Sequence, residues 1–183
     1  MCALQASYYM KNVLKIRKQL TSLSYIQLVA LQTAIGLLLS FVLIGILCLF
    51  EIDIPSRDES SGLSLAIFLL YQVINGILET VVFQYLPYRI TAFHTNNPQK
   101  PYVNLHPTRY VVVSSILFGI MHFIGTHWEM PFCVLKVLCS MLVGVVLSVS
   151  FYILSKKKQK PILSVALIHF LINVSIVLIG YLF

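Results

Sequence analysis

The sequence predicts an all-α protein, a polytopic transmembrane helical bundle of about five spans with its N-terminus in the cytoplasm and its C-terminus outside. Three observations lead there. The 183 residues are 58% hydrophobic and only 10% charged, with a mean hydropathy of +0.88. A soluble domain does not need so much apolar sequence, whereas several helices of about 20 apolar residues do. The apolar residues gather in five runs, near 23–50, 62–86, 110–125, 131–154 and 161–183. The charges between the runs alternate. The N-terminal lead, the 88–109 segment and the Lys156–Lys160 run are basic, whereas the 51–62 segment is net −3 and the 126–130 turn is not basic. Basic loops stay in the cytoplasm, which fixes the expected orientation.

The same composition sets some functions aside. The formal net charge of +7 belongs to cytoplasmic loops of a membrane protein and not to a nucleic-acid surface. The expected partners are therefore a bilayer and no nucleic acid. Cys2, Cys48, Cys133 and Cys139 contain no C-x-x-C pair, so they are expected to have neither a redox nor a metal role. The first apolar run is longer than a signal-peptide core and follows a basic lead, so it is expected to remain in the membrane. Residues 1–22 read as a basic interfacial or cytoplasmic lead, and 23–183 as a single transmembrane domain.

Taken in order, span 1 carries only Gln27 and Gln32 as strong polar groups and reads as a packing helix. Span 2 places Gln72, Asn75 and Glu79 at i, i+3 and i+7, on one helix face. Lipid would leave that stripe unsatisfied, so it should face protein or a wet cavity. Pro87 is expected to end this helix, and residues 88–108, rich in Pro and Asn, are expected to form a long loop. Span 3 is the shortest. The following turn contains Trp128, an expected interface anchor, with His127 and Glu129 solvated; His94 and His106 are expected to be solvated in the preceding loop. Span 4 carries Ser140, Gly144, Ser148 and Ser150, small enough to let helices approach. The lysine run before span 5 reads first as a topology signal and second as a lipid-binding patch.

The chain is organised around Glu79. A carboxylate inside an apolar span is costly, and such acids usually face a cavity or partner and serve a function. His122 in span 3, and His169 with Asn173 in span 5, are expected at similar depth, roughly 12–20 Å from the cytoplasmic side at about 1.5 Å per residue. His169 and Asn173 are i and i+4, on one face. A carboxylate and an imidazole sharing a water can deprotonate it and return the proton to a leaving amine. A second imidazole and a carboxamide can donate hydrogen bonds to the developing oxyanion. Glu79 and the two histidines could instead hold Zn²⁺, although no H-E-x-x-H favours it.

These residues resemble the CAAX-protease and bacteriocin-processing family (CPBP or Abi), which includes the type II CAAX prenyl endopeptidases. That family carries E-E-x-x-x-R, F-x-x-x-H and H-x-x-x-N on separate helices. The second motif is Phe118 to His122 and the third is His169 to Asn173, both complete. The first begins at Glu79 but has Thr80 for the second Glu and Gln84 for the Arg. A neutral pair thus replaces a charged one, which leaves no orphan charge in the membrane. The resemblance implies a metal-independent glutamate-type intramembrane peptidase in which Glu79 and His122 activate water while His169 and Asn173 stabilise the oxyanion. Thr80, Gln84, Phe118 and Asn75 would support the site. No cofactor is expected, with Zn²⁺ on Glu79, His122 and His169 the alternative. The implied substrate is a peptide or lipidated peptide, such as a bacteriocin or pheromone precursor or a CAAX-like C-terminus, and the implied setting is a bacterial plasma membrane. The altered first motif motivates an alternative: a non-catalytic or weakly catalytic immunity or partner-binding protein of the same fold.

Overall fold

The computed structural model describes residues 19–20, 22–49, 65–93, 107–123 and 130–180. Expectations for most of the N-terminal lead, the 51–62 segment, residues 94–106 with His94 and His106, and the turn with His127, Trp128 and Glu129 lie outside the described residues. Among those described there are helices and no strands: α1 (Tyr25–Leu49), α2 (Leu65–Thr80), a π-helical turn (Val81–Tyr85), α3 (Leu86–Phe93), α4 (Pro107–Met121), α5 (Met130–Lys156) and α6 (Pro161–Gly180). The second, third and fourth of these form one continuous rod. Three stretches are long and apolar enough to cross a membrane: Tyr25–Ile46, Ile67–Thr91 and Cys133–Lys156. Pro107–Met121 and Pro161–Ile176 are shorter apolar helices.

The outside of the bundle is apolar. Ile26, Leu38, Leu70, Ile90, Leu142 and Leu163 are all exposed, which water would penalise and lipid would not. Helix α1 begins with a capping box: the Ser24 N–H donates to Gln27 Oε1 (2.9 Å) and the Gln27 N–H to Ser24 Oγ (3.3 Å). Gln27 is therefore a capping residue, while Gln32 is buried.

Pro87 does not end the second rod, contrary to expectation. Proline cannot donate to the carbonyl four residues back, which is that of Phe83. Here that carbonyl accepts the Ser114 hydroxyl of α4. The chain loosens into the π turn just before, with the Leu86 N–H donating to the Val81 carbonyl, and α3 then resumes. Residues 88–93 are consequently helical and not loop. Helix α4 starts at Pro107, where proline suits a first turn.

Small residues set the helix spacing. A Cβ added at Gly144 of α5 would stand 3.0 Å from Ser115 Cα and 3.2 Å from Phe118 Cβ of α4. The Ser148 hydroxyl donates to Ser114 Oγ across the same seam (2.6 Å). One at Gly76 of α2 would stand 3.3 Å from the Ala166 carbonyl of α6. Gly76 thereby lets α2 and α6 approach closely one turn before Glu79.

Candidate active site

The polar stripe of α2 faces α6. The Asn75 amide donates to Glu79 Oε1 at 2.5 Å. The other carboxylate oxygen, Oε2, lies 3.5 Å from His169 Nε2. One turn along, the Asn173 amide donates to Gln72 Oε1 at 3.3 Å. Glu79 is thus tethered on its own helix by Asn75 and faced by an imidazole from another. Its side chain is 20% exposed, against 3% for His169, so solvent can reach the acid while the imidazole is packed. Glu79 is also the midpoint of the apolar stretch Ile67–Thr91, which runs on past Pro87.

Phe118 links the third component. Its ring stands edge-on to His169 (centroids 5.5 Å) and tilted against His122 (4.6 Å). His122 lies one residue beyond α4, in a turn closed by its N–H donating to the Gly119 carbonyl. Its Nδ1 is 2.8 Å from the Phe118 carbonyl. A carbonyl only accepts, so Nδ1 carries the proton there, and in the tautomer this contact selects Nε2 is the acceptor. Phe118 packs as a spacer between the two imidazoles, and its carbonyl fixes which His122 nitrogen carries a proton.

Thr80 and Gln84 are fully buried. The Thr80 hydroxyl and both polar atoms of the Gln84 amide have no hydrogen-bond partner among the described residues. They are therefore not the mutually bonded pair that i, i+4 spacing suggests. The π turn between them adds residues per turn and rotates that spacing off register. Glu79 Oε2 and His169 Nδ1 are likewise buried without a hydrogen bond among the described residues. Sequence reasoning placed Gln72 on the stripe but missed its pairing with Asn173. It also missed Ser114, for which the signal was available: a proline mid-rod implies a carbonyl needing another donor.

Among the described residues, no three His, Cys, Asp or Glu side chains converge as a metal-ligand set. As placed, Glu79, His122 and His169 do not converge as a three-ligand zinc site.

A family model described as type II CAAX prenyl endopeptidase Rce1-like covers residues 61–175. The chain belongs to that family. No curated protein and no solved structure gives a match. The Rce1-like family is one of proteases, and its model spans every site residue named above. Together with the three membrane-length stretches, membership makes this chain an integral membrane protein of a peptide-bond hydrolase family.

Proposed function

We propose that this protein is an intramembrane endopeptidase that cuts a peptide near the cytoplasmic face by water attack, without a metal. The observation that carries the reading is the Glu79 carboxylate held by Asn75 and faced by His169 at 3.5 Å within the bundle. In this reading Glu79 takes a proton from a water positioned also by the bare Nε2 of His122. The resulting hydroxide adds to the scissile carbonyl. The protonated Glu79 then delivers its proton to the departing amine as the C–N bond breaks.

The oxyanion falls to His169 and Asn173. The Asn173 amide has two N–H donors and commits one to Gln72, leaving one to offer. At 3.5 Å, His169 Nε2 is beyond a good hydrogen bond to Glu79, so it is not locked there. The orientation proposed from loop charge puts the N-terminus and the Lys156–Lys160 turn in the cytoplasm, and the membrane is a bacterial plasma membrane. Substrates are peptides or lipidated peptides with a free C-terminal segment.

The test is cleavage of quenched peptides by the purified chain in liposomes. The panel covers prenylated and unprenylated C-termini and leader-type precursors. Wild type runs beside Glu79→Gln, His122→Ala and His169→Ala, with and without chelator. Loss in all three variants, unchanged by chelator, is the expected outcome. Cleavage surviving Glu79→Gln overturns the mechanism, and chelator sensitivity returns the two histidines and Glu79 to zinc ligation. An intact cellular phenotype in Glu79→Gln favours the non-catalytic reading that the altered Thr80 and Gln84 positions suggest.

A further inference from the structure

A second cavity lies away from this site. It has a volume of about 640 Å³ and is walled by Tyr85, Tyr88, Phe151, Pro161, Ile162 and Leu163, a size typical of small-ligand pockets. Its rim carries Arg89, Lys156, Lys158 and Lys160, together with Ser155. No acidic residue lines it. Glu79, the sole acid among the described residues, is six residues before Tyr85, about 9 Å along the rod. The walls are thus aromatic and aliphatic, and the mouth is cationic.

The backbone is arranged to keep lysines at that mouth. Helix α5 closes with a double hydrogen bond, the Gln159 N–H to the Leu154 carbonyl (3.0 Å) and the Lys158 N–H to the Ser155 carbonyl (3.2 Å). This is the Schellman pattern, in which the residue at position 158 takes a left-handed conformation and is usually glycine. Here it is lysine, with φ 56°, and Lys160 follows with φ 29°. Non-glycine residues held in that region are strained and cluster at ligand clamps. Capping alone would be served better by glycine. The turn is pinned from another side, since the Lys157 ammonium donates to the Leu23 carbonyl beside α1. Ser155 Oγ, in the cavity lining, is buried and has no hydrogen-bond partner among the described residues, so a hydroxyl donor is available beside the cations.

We propose that this cavity binds an anionic membrane phospholipid, its phosphate among Lys158, Lys160, Arg89 and Ser155 and the start of an acyl chain along Tyr85, Phe151 and Ile162. Basic pockets between transmembrane helices suit such headgroups, and the apolar wall distinguishes this one from a diffuse surface charge. The proposal does not depend on the peptidase reading. An occupant here would also brace α3 against α5 and α6.

The experiment uses the full chain, delipidated in detergent, titrated with phosphatidylglycerol or with phosphatidylcholine of the same chains. Retained lipid is counted by native mass spectrometry and Tm is followed in parallel. Wild type should bind one phosphatidylglycerol at least tenfold more tightly than phosphatidylcholine, with a saturable rise in Tm. Lys158→Gln/Lys160→Gln should lose that preference, whereas Arg109→Gln/Lys136→Gln, which removes equal charge from residues outside the cavity lining, should keep it. Ile162→Trp fills the wall and leaves every charge, and it too should lose the bound lipid; Tm in phosphatidylcholine alone reports whether each variant is folded. Equal loss in the Arg109 and Lys136 control, or no headgroup preference in wild type, overturns the proposal. Full competition by glycerol phosphate, which lacks chains, also overturns it in favour of a small free anion.

Discussion

Two helix seams in this bundle hold polar groups of different kinds. Between α4 and α5 they are hydroxyls: Ser148 donates to Ser114, and Ser114 donates to the Phe83 carbonyl that proline leaves without an amide, while the buried Tyr110 hydroxyl of α4 has no hydrogen bond among the described residues. Between α2 and α6 they are an acid, an imidazole and carboxamides, and Glu79 Oε2 and His169 Nδ1 have no hydrogen bond among the described residues. Burying an unsatisfied polar group costs about 1–3 kcal/mol, and between α2 and α6 that cost falls on the two groups able to move a proton. The α4–α5 seam closes the structure. In the proposed reading the α2–α6 seam keeps donors and acceptors open for something that arrives later.

Substitutions can break that contrast. The largest effect is expected from Glu79→Gln, which keeps the shape and the Asn75 contact but removes the base. Loss of general acid–base catalysis typically costs ~10²–10⁴-fold in rate, so kcat should fall by that order while Tm stays near wild type. A large fall in Tm with a proportional fall in active protein would instead make Glu79 structural. Asn173→Ala comes next. Removing one oxyanion donor typically costs roughly 10²–10³-fold in kcat, and the value here should lie at the lower end because His169 remains. Its KM should change little if the amide acts only after attack, and a change confined to KM would assign Asn173 to substrate binding.

The closing seam should respond in the other currency. Gly144→Val forces atoms onto Ser115 Cα and Phe118 Cβ, where even a bare Cβ stands at 3.0 and 3.2 Å. Backbone and ring base cannot step aside as a flexible side-chain tip could. Overpacking of this kind costs about 1–3 kcal/mol, which thermal unfolding in detergent should register as a lowered Tm. Activity per folded molecule should fall only through Phe118, which spaces His122 from His169. Unchanged Tm would show that the two helices have slack at this crossing.

Much of this was legible in the sequence, for definite reasons. Hydropathy marks the apolar rods because a lipid-facing helix is apolar all round, and the capping box at Ser24 is a local pattern. Gln72, Asn75 and Glu79 share a face by helical period alone. That Glu79 and His169 share a site was expected from their motifs and matched depth, but which atoms face each other was not legible, because it depends on Gly76 meeting the Ala166 carbonyl across 90 residues of chain. The rod's continuation through Pro87 was misread because the rule that proline stops a helix assumes nothing else satisfies the freed carbonyl. That error hid the second cavity as well. Tyr88 and Arg89, expected in a loop, are on α3 and line it.

Gln84→Met should give the smallest effect, and it carries the contrast to the π turn, which packs against α4 and α5. Gln84 is fully buried with neither amide atom hydrogen-bonded among the described residues. Methionine has a similar length and no polar atom to leave unsatisfied, so the folded state should gain stability. Replacing an unpartnered buried polar group with an apolar one of like shape returns part of its desolvation cost, about 1–3 kcal/mol. Tm should therefore rise, which is unusual for a core substitution. If the amide also steadies the π turn next to Glu79, or meets the substrate, kcat should fall a few-fold at the same time. A rise in Tm with unchanged kcat would mark Gln84 as a remnant with no part in the reaction. A fall in Tm would mean that the amide has a partner in the folded protein, and the π turn would then be better satisfied than its described contacts suggest.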